Sequence, residues 1–361
     1  MVFVTQALHV LCVSTPVGAL GSGLGGGVEL TLTNLGQELA GRGHRVTVIA
    51  PQESVLPGLE LVQVAGRPQP IAQNQGRSDP ISLTADGVLP RMWTEVRQHL
   101  TPQTVILNFA YDWLPFYLTP FLSRPVAHLV SMGSLQENMD RAIAEVLAAY
   151  PGSVAVHSRA QAATFSFGDQ LQVIGNGFDL AGYQFRAAAE PALAWVGRIA
   201  PEKGLEDAVA AAQAAGRPLR VMGKLQDAQY WAWVQATFPT ASVDYLGFLP
   251  TTELQEQLGR CAALLQTPHW VEAFGNVAVE ALACGVPVIA YDRGGPAEIV
   301  RHGETGWLVP PGDGLGLVAA IHKLSQIDRH HCRQQAEAEF SRAAFGNRVE
   351  TWLRELQATC G

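Results

Sequence analysis

Short apolar runs alternate with helical segments along almost the whole chain. Runs that are apolar at every position indicate strands buried on both faces of a parallel sheet. The order of strand, loop, helix and strand is typical of βαβ units, so we predict a doubly wound α/β domain in the first half. Its predicted strands are 8–14, 46–50, 104–109, 126–130, 154–157 and 171–174, with helices at 28–42 and 138–150.

The same alternation begins again in the second half. The glycine-containing segment 175–179 separates the halves, so we expect domains at 1–175 and 176–340, followed by a terminal helix within 341–361. Residues 51–90 are rich in Pro, Gln and Gly and are predicted to be irregular. The predicted strands of the second half are 193–196, 219–222, 243–246, 262–265 and 286–290, with helices at 205–215, 226–237, 252–258 and 276–284.

Composition narrows the class of protein. The 361 residues are 48% hydrophobic and 16% charged, which suits two domains with buried cores and excludes a disordered chain. The net charge of −8 argues against a general attraction to nucleic acid or an anionic membrane. Any phosphate binding must therefore come from a few placed Arg or Lys residues.

The cysteines and the start of the chain favour the cytoplasm. Five cysteines are scattered without a C-x-x-C pair, which argues against a disulfide framework or a zinc site. The chain begins without a basic n-region, and it holds no apolar run long enough to cross a bilayer. We expect a soluble cytoplasmic protein that acts on small molecules, with neither a nucleic-acid partner nor an integral membrane segment.

Two carboxylates bracket the predicted helix at 276–284. Glu272 lies in the preceding loop, and Glu280 lies inside the helix. Gly275 marks a break, and Asn276 is the expected N-cap. Because a helix rises about 1.5 Å per residue, the acids should not face each other at about 5 Å as in a retaining glycosidase. A polar ligand could lie along the helix N-terminus, where free N–H groups favour anions. The alternative is two solvated acids.

Two cations lie in the loop after the predicted strand 193–196. The fork of Arg198 and the point charge of Lys203 suit a diphosphate. Open α/β sheets bind their ligands at the carboxyl ends of the strands, where this loop lies. The alternative is a pair of solvated side chains.

A glycine-rich loop follows the first strand. Residues 21–26 satisfy the G-x-G-x-x-G pattern of dinucleotide-binding proteins. However, the match starts several residues after the strand, and the acid expected after the second strand is displaced to Glu53. These differences disfavour NAD, and a dehydrogenase stays as an alternative.

Taken together, these motifs resemble glycosyltransferase family 4. The resemblance is carried by Glu272-x7-Glu280 within EAFGNVAVEALACGVPVIA, by GRIAPEKG at 197–204 and by GGVE at 26–29. It implies a retaining transferase that uses nucleotide sugars. It also implies the GT-B fold, in which two Rossmann-like domains face each other across a cleft and the C-terminal helix crosses back to the first domain.

The resemblance also implies roles for individual residues. Glu272 should bind the transferred sugar, Glu280 the ribose, and Arg198 with Lys203 the diphosphate; we expect Glu272, Arg198 and Lys203 to be catalytic. No D-x-D motif is present near this site, so we expect no metal and no other cofactor. No nucleophile is well placed, which favours front-face attack by an acceptor hydroxyl. The further expected donor-binding residues are Gly26, Gly27, Gly247, Phe274, Gly275, Asn276 and Val277.

The acceptor side departs from the family pattern. Family members commonly carry histidines where Phe109 and Tyr111 stand, and another where Ser131 and Met132 stand. Aromatic side chains suit a flat heterocyclic acceptor, because rings stack on rings. The N-terminal segments 16–32, 108–121 and 125–135 also resemble those of the cyanobacterial UDP-glucose:tetrahydrobiopterin glucosyltransferases. We therefore expect glucose transfer from UDP-glucose to tetrahydrobiopterin, a pteridine, with acceptor contacts from Phe109, Tyr111, Asp112, Ser131 and Met132.

Two alternatives share the donor motifs. One is a family 4 enzyme with a saccharide or lipid acceptor, and the other is a non-catalytic UDP-sugar-binding protein. His128 is open to two interpretations, a core histidine or a histidine in the site.

Overall fold

The chain divides between Phe178 and Asp179, within the glycine-containing segment that joins the two predicted halves. The computed structural model describes residues 6–359, apart from the side chain of Gln73. The first unit extends to Phe178 and also takes in the chain from Arg342 onward. The second unit is Asp179–Ser341, and each unit contains one parallel sheet.

The first unit is built on seven strands. They are β1 (His9–Val13), β2 (Arg45–Pro51), β3 (Glu60–Val64), β4 (Thr104–Asn108), β5 (Val126–Val130), β6 (Val154–Val156) and β7 (Gln172–Val173). Its helices are α1 (Gly27–Gly41), α2 (Val88–Gln98), α3 (Trp113–Leu118), α4 (Glu137–Ala149), α5 (Arg159–Ala162) and the C-terminal helix (Arg342–Thr359). The strands are all parallel, in the order β3-β2-β1-β4-β5-β6-β7.

The side chains of β1 explain why the apolar runs are continuous. Val10 and Cys12 pack into one core with α1 and the C-terminal helix. Leu11 and Val13 pack into a second core with α2. Successive strand residues point to opposite faces, so a sheet covered by helices on both sides buries them all.

The second unit repeats the architecture with six strands. They are β8 (Leu193–Val196), β9 (Leu219–Met222), β10 (Val243–Gly247), β11 (Leu264–Gln266), β12 (Val288–Tyr291) and β13 (Gly306–Val309). Its helices are α6 (Leu205–Ala214), α7 (Ala228–Thr237), α8 (Thr251–Arg260), α9 (Asn276–Ala283), α10 (Gly294–Ile299), α11 (Gly314–His322) and α12 (Arg329–Phe340). The order β10-β9-β8-β11-β12-β13 makes β8, β11 and β12 neighbours. The loops that follow these three strands therefore meet at one edge of the sheet.

The prediction of two doubly wound Rossmann-like sheets is confirmed, but the prediction for residues 51–90 is wrong in part. This segment contains β3 and the beginning of α2. β3 pairs only with β2 at the edge of the sheet, and its Glu60 and Gln63 are exposed. An edge strand with exposed polar side chains lacks the apolar run from which the other strands were predicted.

Candidate functional site

The loop between β11 and α9 is fastened to the loops on either side of it. The Thr267 hydroxyl donates a hydrogen bond to the Gly204 carbonyl (2.7 Å), and the His269 N–H donates to the Glu202 carbonyl (2.9 Å). From the other side, Arg293 donates to the His269 carbonyl (2.8 Å). The loop that carries Glu272 therefore has a defined position relative to the loops after β8 and β12.

Glu272 and Lys203 form an ion pair at this edge of the sheet. Lys203 Nζ lies 2.6 Å from Glu272 Oε2, and both side chains are largely buried, at 16% and 22% exposure. The indole N–H of Trp270 donates to the same oxygen (3.1 Å), and Lys203 Nζ lies 4.8 Å from the centroid of the Trp270 ring. Two residues that were predicted from separate motifs are thus in direct contact.

Gly294 lets the backbone of Glu272 approach α10. Its φ is +68°, and a Cβ at this position would lie 2.8 Å from both the nitrogen and the oxygen of Glu272. The neighbouring Gly295 N–H donates to the Glu272 carbonyl (2.8 Å). Any larger residue at 294 would force the Glu272 backbone to move, because contacts this short are not tolerated between Cβ and backbone atoms.

Arg198 contacts a different set of side chains from Lys203. Its guanidinium donates to Gln226 Oε1 (2.6 Å) and lies 3.2 Å from Glu202 Oε1. The Arg198 side chain is 39% exposed, so its pairing with Glu202 contributes little to stability. The guanidinium is therefore available to a ligand at small energetic cost.

Glu280 lies inside α9 and is buried. The Tyr183 hydroxyl donates to Glu280 Oε1 (2.9 Å). Burial raises the pKa of the Glu280 carboxyl to about 7, and the hydrogen bond from Tyr183 acts in the opposite direction. The sequence did not indicate Tyr183, because it lies near the start of the second unit, outside the recognised motifs.

The start of α9 corrects one prediction. Gly275, with φ +93°, is the N-cap, and Asn276 is the first helical residue. Glycine is favoured at this position because its backbone is left-handed. Phe274 is buried and packs edge-on against Phe340, and Val277 lies partly buried in the first helical turn.

Gly247 ends β10 at the same edge of the sheet. Its carbonyl accepts a hydrogen bond from the Gly223 N–H (2.8 Å) in the loop after β9. The ring of Phe248, which follows it, is 76% exposed. This segment therefore presents an aromatic surface beside the β9 loop.

In the first unit, Glu29 organises the glycine-rich loop. Its carboxylate in α1 accepts hydrogen bonds from the N–H groups of Gly21 (2.7 Å), Gly23 (3.3 Å) and Gly25 (2.7 Å). Gly26 is the N-cap of α1 and Gly27 its first residue. A dinucleotide diphosphate would need N–H groups of this loop. Because these N–H groups already bond to the Glu29 carboxylate, the structure argues against the NAD alternative. The presence of an acid in the first turn of α1 was the feature of the sequence that could have indicated this arrangement.

The predicted acceptor residues lie in unequal environments. Phe109 is 2% exposed and belongs to the core shared by β1 and α1, so its ring is not presented to a ligand, contrary to the prediction. Tyr111 is half-buried, its hydroxyl donates to the Gly133 carbonyl (3.4 Å), and burial raises its pKa. Asp112 caps α3 and accepts a hydrogen bond from Gln69 (3.2 Å); burial raises the pKa of its carboxyl.

Ser131 and Met132 follow β5, as predicted. The Ser131 hydroxyl lies 3.1 Å from Nε2 of the buried His157, and Gln161 donates to the Met132 carbonyl (2.9 Å). Both residues are half-buried. They are held at the carboxyl end of their strand by buried polar partners.

His128 is a core histidine. It is fully buried, its ring stacks on Phe116 with centroids 4.1 Å apart, and its two nitrogens contact Asn108 (3.1 Å) and Thr119 (2.9 Å). Burial lowers its pKa to about 3, so the ring is neutral at physiological pH. The sequence left two interpretations of His128 open, and the structure supports a core histidine and not a histidine in the site.

Three general features bear on the chemistry. Among residues 6–359, no group of three or more His, Cys, Asp and Glu side chains is arranged to hold a metal ion. None of the helices described is long and apolar enough to cross a membrane. Four cysteines are free thiols in the interior, namely Cys12, Cys261, Cys284 and Cys332, while Cys360 lies outside the described residues.

Two family models match consecutive parts of the chain. The model described as Glycosyltransferase Family 4 matches residues 25–181. The model described as Glycosyl transferases group 1 matches residues 185–339. The first match thus falls on the unit with the glycine-rich loop, and the second falls on the unit with Glu272 and Glu280.

Individual proteins show the same similarity. Glycogen synthase of Mycobacterium tuberculosis is 36% identical over 166 residues, which span 43% of this chain but only 40% of that protein. D-inositol 3-phosphate glycosyltransferase of Rhodococcus erythropolis is 28% identical over 353 residues, 84% of this chain and 80% of that protein. The crystal structure of Anabaena HepE in complex with UDP and glucose has a TM-score of 0.73 at 19% identity, covering 96% of this chain and 100% of HepE. At that identity the likeness to HepE is one of fold.

Proposed function

Because the chain belongs to the family 4 glycosyltransferases, we propose that it transfers glucose from UDP-glucose to tetrahydrobiopterin with retention of the anomeric configuration. The observation that carries the donor half of this proposal is the contact of Lys203 with Glu272, at the strand ends where open α/β sheets bind ligands. A UDP-sugar donor is also supported by HepE, whose structure contains UDP and glucose.

In this proposal each charged group takes one part of the donor. Lys203 and Arg198 bind the diphosphate, the first as a point charge and the second through its planar fork. Glu272 binds hydroxyls of the glucose, and Glu280 binds hydroxyls of the ribose. The N-terminus of α9, which begins after Gly275, adds the positive end of a helix dipole, which favours an anion.

The proposed reaction needs no covalent intermediate. The bond between glucose C1 and the β-phosphate oxygen breaks while the acceptor hydroxyl oxygen forms a bond to C1 on the same face. The hydroxyl proton passes to the departing phosphate oxygen, and the products are UDP and the glucosylated acceptor. Lys203 and Arg198 stabilise the negative charge that develops on the diphosphate, which is electrostatic catalysis by preorganised cations.

The acceptor half of the proposal rests on the first unit. Tyr111, Asp112, Ser131 and Met132 lie at the carboxyl ends of β4 and β5 or in the loops that follow them. A half-buried tyrosine ring can stack on a pteridine, and polar groups nearby can bind its heteroatoms. The acceptor proposed is also supported by the resemblance of the N-terminal segments to those of tetrahydrobiopterin glucosyltransferases.

A second acceptor class is favoured by one observation. A relative that matches 84% of the chain, in Rhodococcus erythropolis, is named D-inositol 3-phosphate glycosyltransferase. A polyhydroxylated ring is therefore the competing acceptor, and it shares the donor and the chemistry proposed above.

We also propose that transfer needs no metal ion, since Lys203 and Arg198 supply positive charge where the diphosphate would bind. UDP release should then continue at the same rate in excess EDTA. Loss of activity in EDTA and its recovery with magnesium or manganese would contradict metal independence while leaving the donor assignment in place.

The experiment that tests the function is UDP release from UDP-glucose, with and without tetrahydrobiopterin, under anaerobic and reducing conditions. We expect pteridine-dependent release and a glucosylated pteridine by mass spectrometry. A parallel mixture contains D-inositol 3-phosphate in place of the pteridine, and release that occurs only there would assign the acceptor to the polyol class. Tight UDP binding without release in either mixture would support a non-catalytic UDP-sugar-binding protein.

A further inference from the structure

Trp270 contacts both members of the Lys203–Glu272 pair, although no motif assigned it a role. Its indole N–H donates to Glu272 Oε2 over 3.1 Å. Its ring centroid lies 4.8 Å from Lys203 Nζ, within the distance at which a cation is attracted to an aromatic face. One side chain therefore touches the anion through its N–H and the cation through its ring.

The contacts to Glu272 are concentrated on one of its two oxygens. Lys203 Nζ and Trp270 Nε1 both lie within hydrogen-bond distance of Oε2. The carboxylate is thereby held by one edge, which directs Oε1 away from both donors. A carboxylate held in this way can present its second oxygen to a hydroxyl group in a fixed direction.

The backbone on which Trp270 stands is itself fixed. The preceding residue, His269, is bonded to the Glu202 carbonyl and to Arg293, and the carbonyl of Glu272 accepts from Gly295. The backbone on either side of Trp270 is therefore held independently of the side chains of Glu272 and Lys203. This rigidity is what a residue needs in order to position others.

We propose that Trp270 is a positioning residue that holds Glu272 toward the donor sugar while Lys203 serves the diphosphate. The inference rests on the proposed function, because it takes the donor to be a nucleoside diphosphate sugar. When a diphosphate draws the ammonium of Lys203 away from Glu272, the indole N–H still holds Oε2. The orientation of the sugar-binding carboxylate then survives the loss of its other partner.

Two substitutions separate the two contacts. Trp270→Phe keeps an aromatic face for Lys203 but removes the N–H that holds Glu272. Trp270→Leu removes both. Trp233→Phe is the matched control, since Trp233 is half-exposed on α7 in the same unit and stacks on Tyr230. Thermal unfolding of all three variants shows whether each is folded as the wild type is.

The measurement is equilibrium binding of UDP and of UDP-glucose, which requires no acceptor. For Trp270→Phe we expect UDP affinity within about twofold of wild type and UDP-glucose affinity about tenfold weaker, since a hydrogen bond to a charged group is lost. For Trp270→Leu we expect UDP affinity to fall by a further factor of about three, since no aromatic face then holds the ammonium of Lys203 near the position proposed for the diphosphate. The control should bind both ligands as wild type does.

A spectroscopic readout is independent of affinity. UDP should change the tryptophan emission of the wild type and of Trp233→Phe, because Lys203 moves relative to the Trp270 ring. That change should be absent from Trp270→Phe. The loss would assign the signal to Trp270, whereas an emission change that persists in Trp270→Phe would contradict a movement of Lys203 relative to this ring.

The outcomes distinguish failure of the inference from failure of the proposed function. If wild type binds both ligands and Trp270→Phe keeps the wild-type ratio of UDP-glucose to UDP affinity, Trp270 does not position Glu272. If Trp270→Phe weakens both ligands equally, its role is structural and the inference is also wrong. If wild type binds neither ligand, the proposed function fails and the inference fails with it.

Discussion

The candidate ligand residues of the two units differ in the contacts that they make. In the second unit, Lys203, Glu272 and Arg198 stand on loops at the ends of strands and pair with one another or with nearby side chains. In the first unit, Phe109 is part of the core and Asp112 is taken up by a helix cap and a glutamine. The charged site is built from partly exposed side chains that pair with one another or with neighbours, whereas the acceptor segment has Phe109 in the core and Asp112 at a helix cap.

The difference has a physical cause. A charged group buried without a partner is very costly, so Arg, Lys and Glu remain in loops and in ion pairs. An aromatic ring gains from burial and fills a core as readily as it lines a site. Charge in a motif is thus a better guide to a site than aromaticity is.

The largest effect should come from the ion pair of the second unit. Glu272→Ala and Lys203→Ala should each lower kcat/KM for UDP-glucose by about 10²–10³-fold, because each removes from the protein a preorganised charge that we propose to act on the donor. Steady-state kinetics of UDP release measures this. Arg260→Ala is the control, since Arg260 forms an exposed pair with Glu256 on α8 and its loss should leave kcat/KM unchanged. Wild-type turnover in Glu272→Ala would refute the assigned role.

A substitution at Gly294 should disturb the same site through the backbone of Glu272. Gly294→Ala should lower activity by about tenfold or more, because the new Cβ would collide with the backbone of Glu272 and displace its loop. Gly312→Ala is matched to it: Gly312 also has positive φ, but its Cβ would meet nothing within 4 Å. Gly312→Ala should lower only the melting temperature, from a backbone cost of about 1–2 kcal/mol. Equal kinetics in the two variants would contradict the importance of the close approach.

Donor binding should depend on pH through Glu280. Its pKa is raised to about 7, so the carboxylate is mostly protonated at pH 6 and mostly ionised at pH 8. An ionised acceptor makes the stronger hydrogen bond to ribose hydroxyls, so the affinity for UDP-glucose should rise about tenfold as the pH increases between these values. Titrations of Glu280→Gln should show no such rise. If the affinity of Glu280→Gln for UDP-glucose still rises with pH as in the wild type, the pH dependence comes from another group.

The smallest effect should distinguish two aromatic residues of the first unit. Tyr111→Leu should raise the KM for the pteridine by about two- to tenfold, since one stacking contact is lost. Phe109→Leu should lower the melting temperature and leave this KM unchanged, because Phe109 lies in the core. Kinetics at saturating UDP-glucose measures both. A KM effect confined to Phe109→Leu would reverse our assignment.

Much of the fold follows from the sequence, because continuous apolar runs are a direct consequence of parallel strands covered on both faces. The edge strand β3 was not predicted, because its exposed Glu60 and Gln63 interrupt the apolar run. At the site, the sequence indicated Lys203 and Glu272 but not their contact, which depends on β8 and β11 being neighbours. Tyr183 and Trp270 could not be predicted, since only the folded chain brings them to the carboxylates.

The central claim is tested most directly by the product itself. We would incubate the protein with tetrahydrobiopterin and UDP-glucose labelled with ¹³C at glucose C1, in reducing and anaerobic buffer, and record the NMR spectrum of the purified pteridine. The account predicts a labelled glucose joined to the pteridine in the α configuration of the donor, with one UDP released for each product. A β-linked product would contradict retention, and an unlabelled pteridine would contradict the acceptor that we propose.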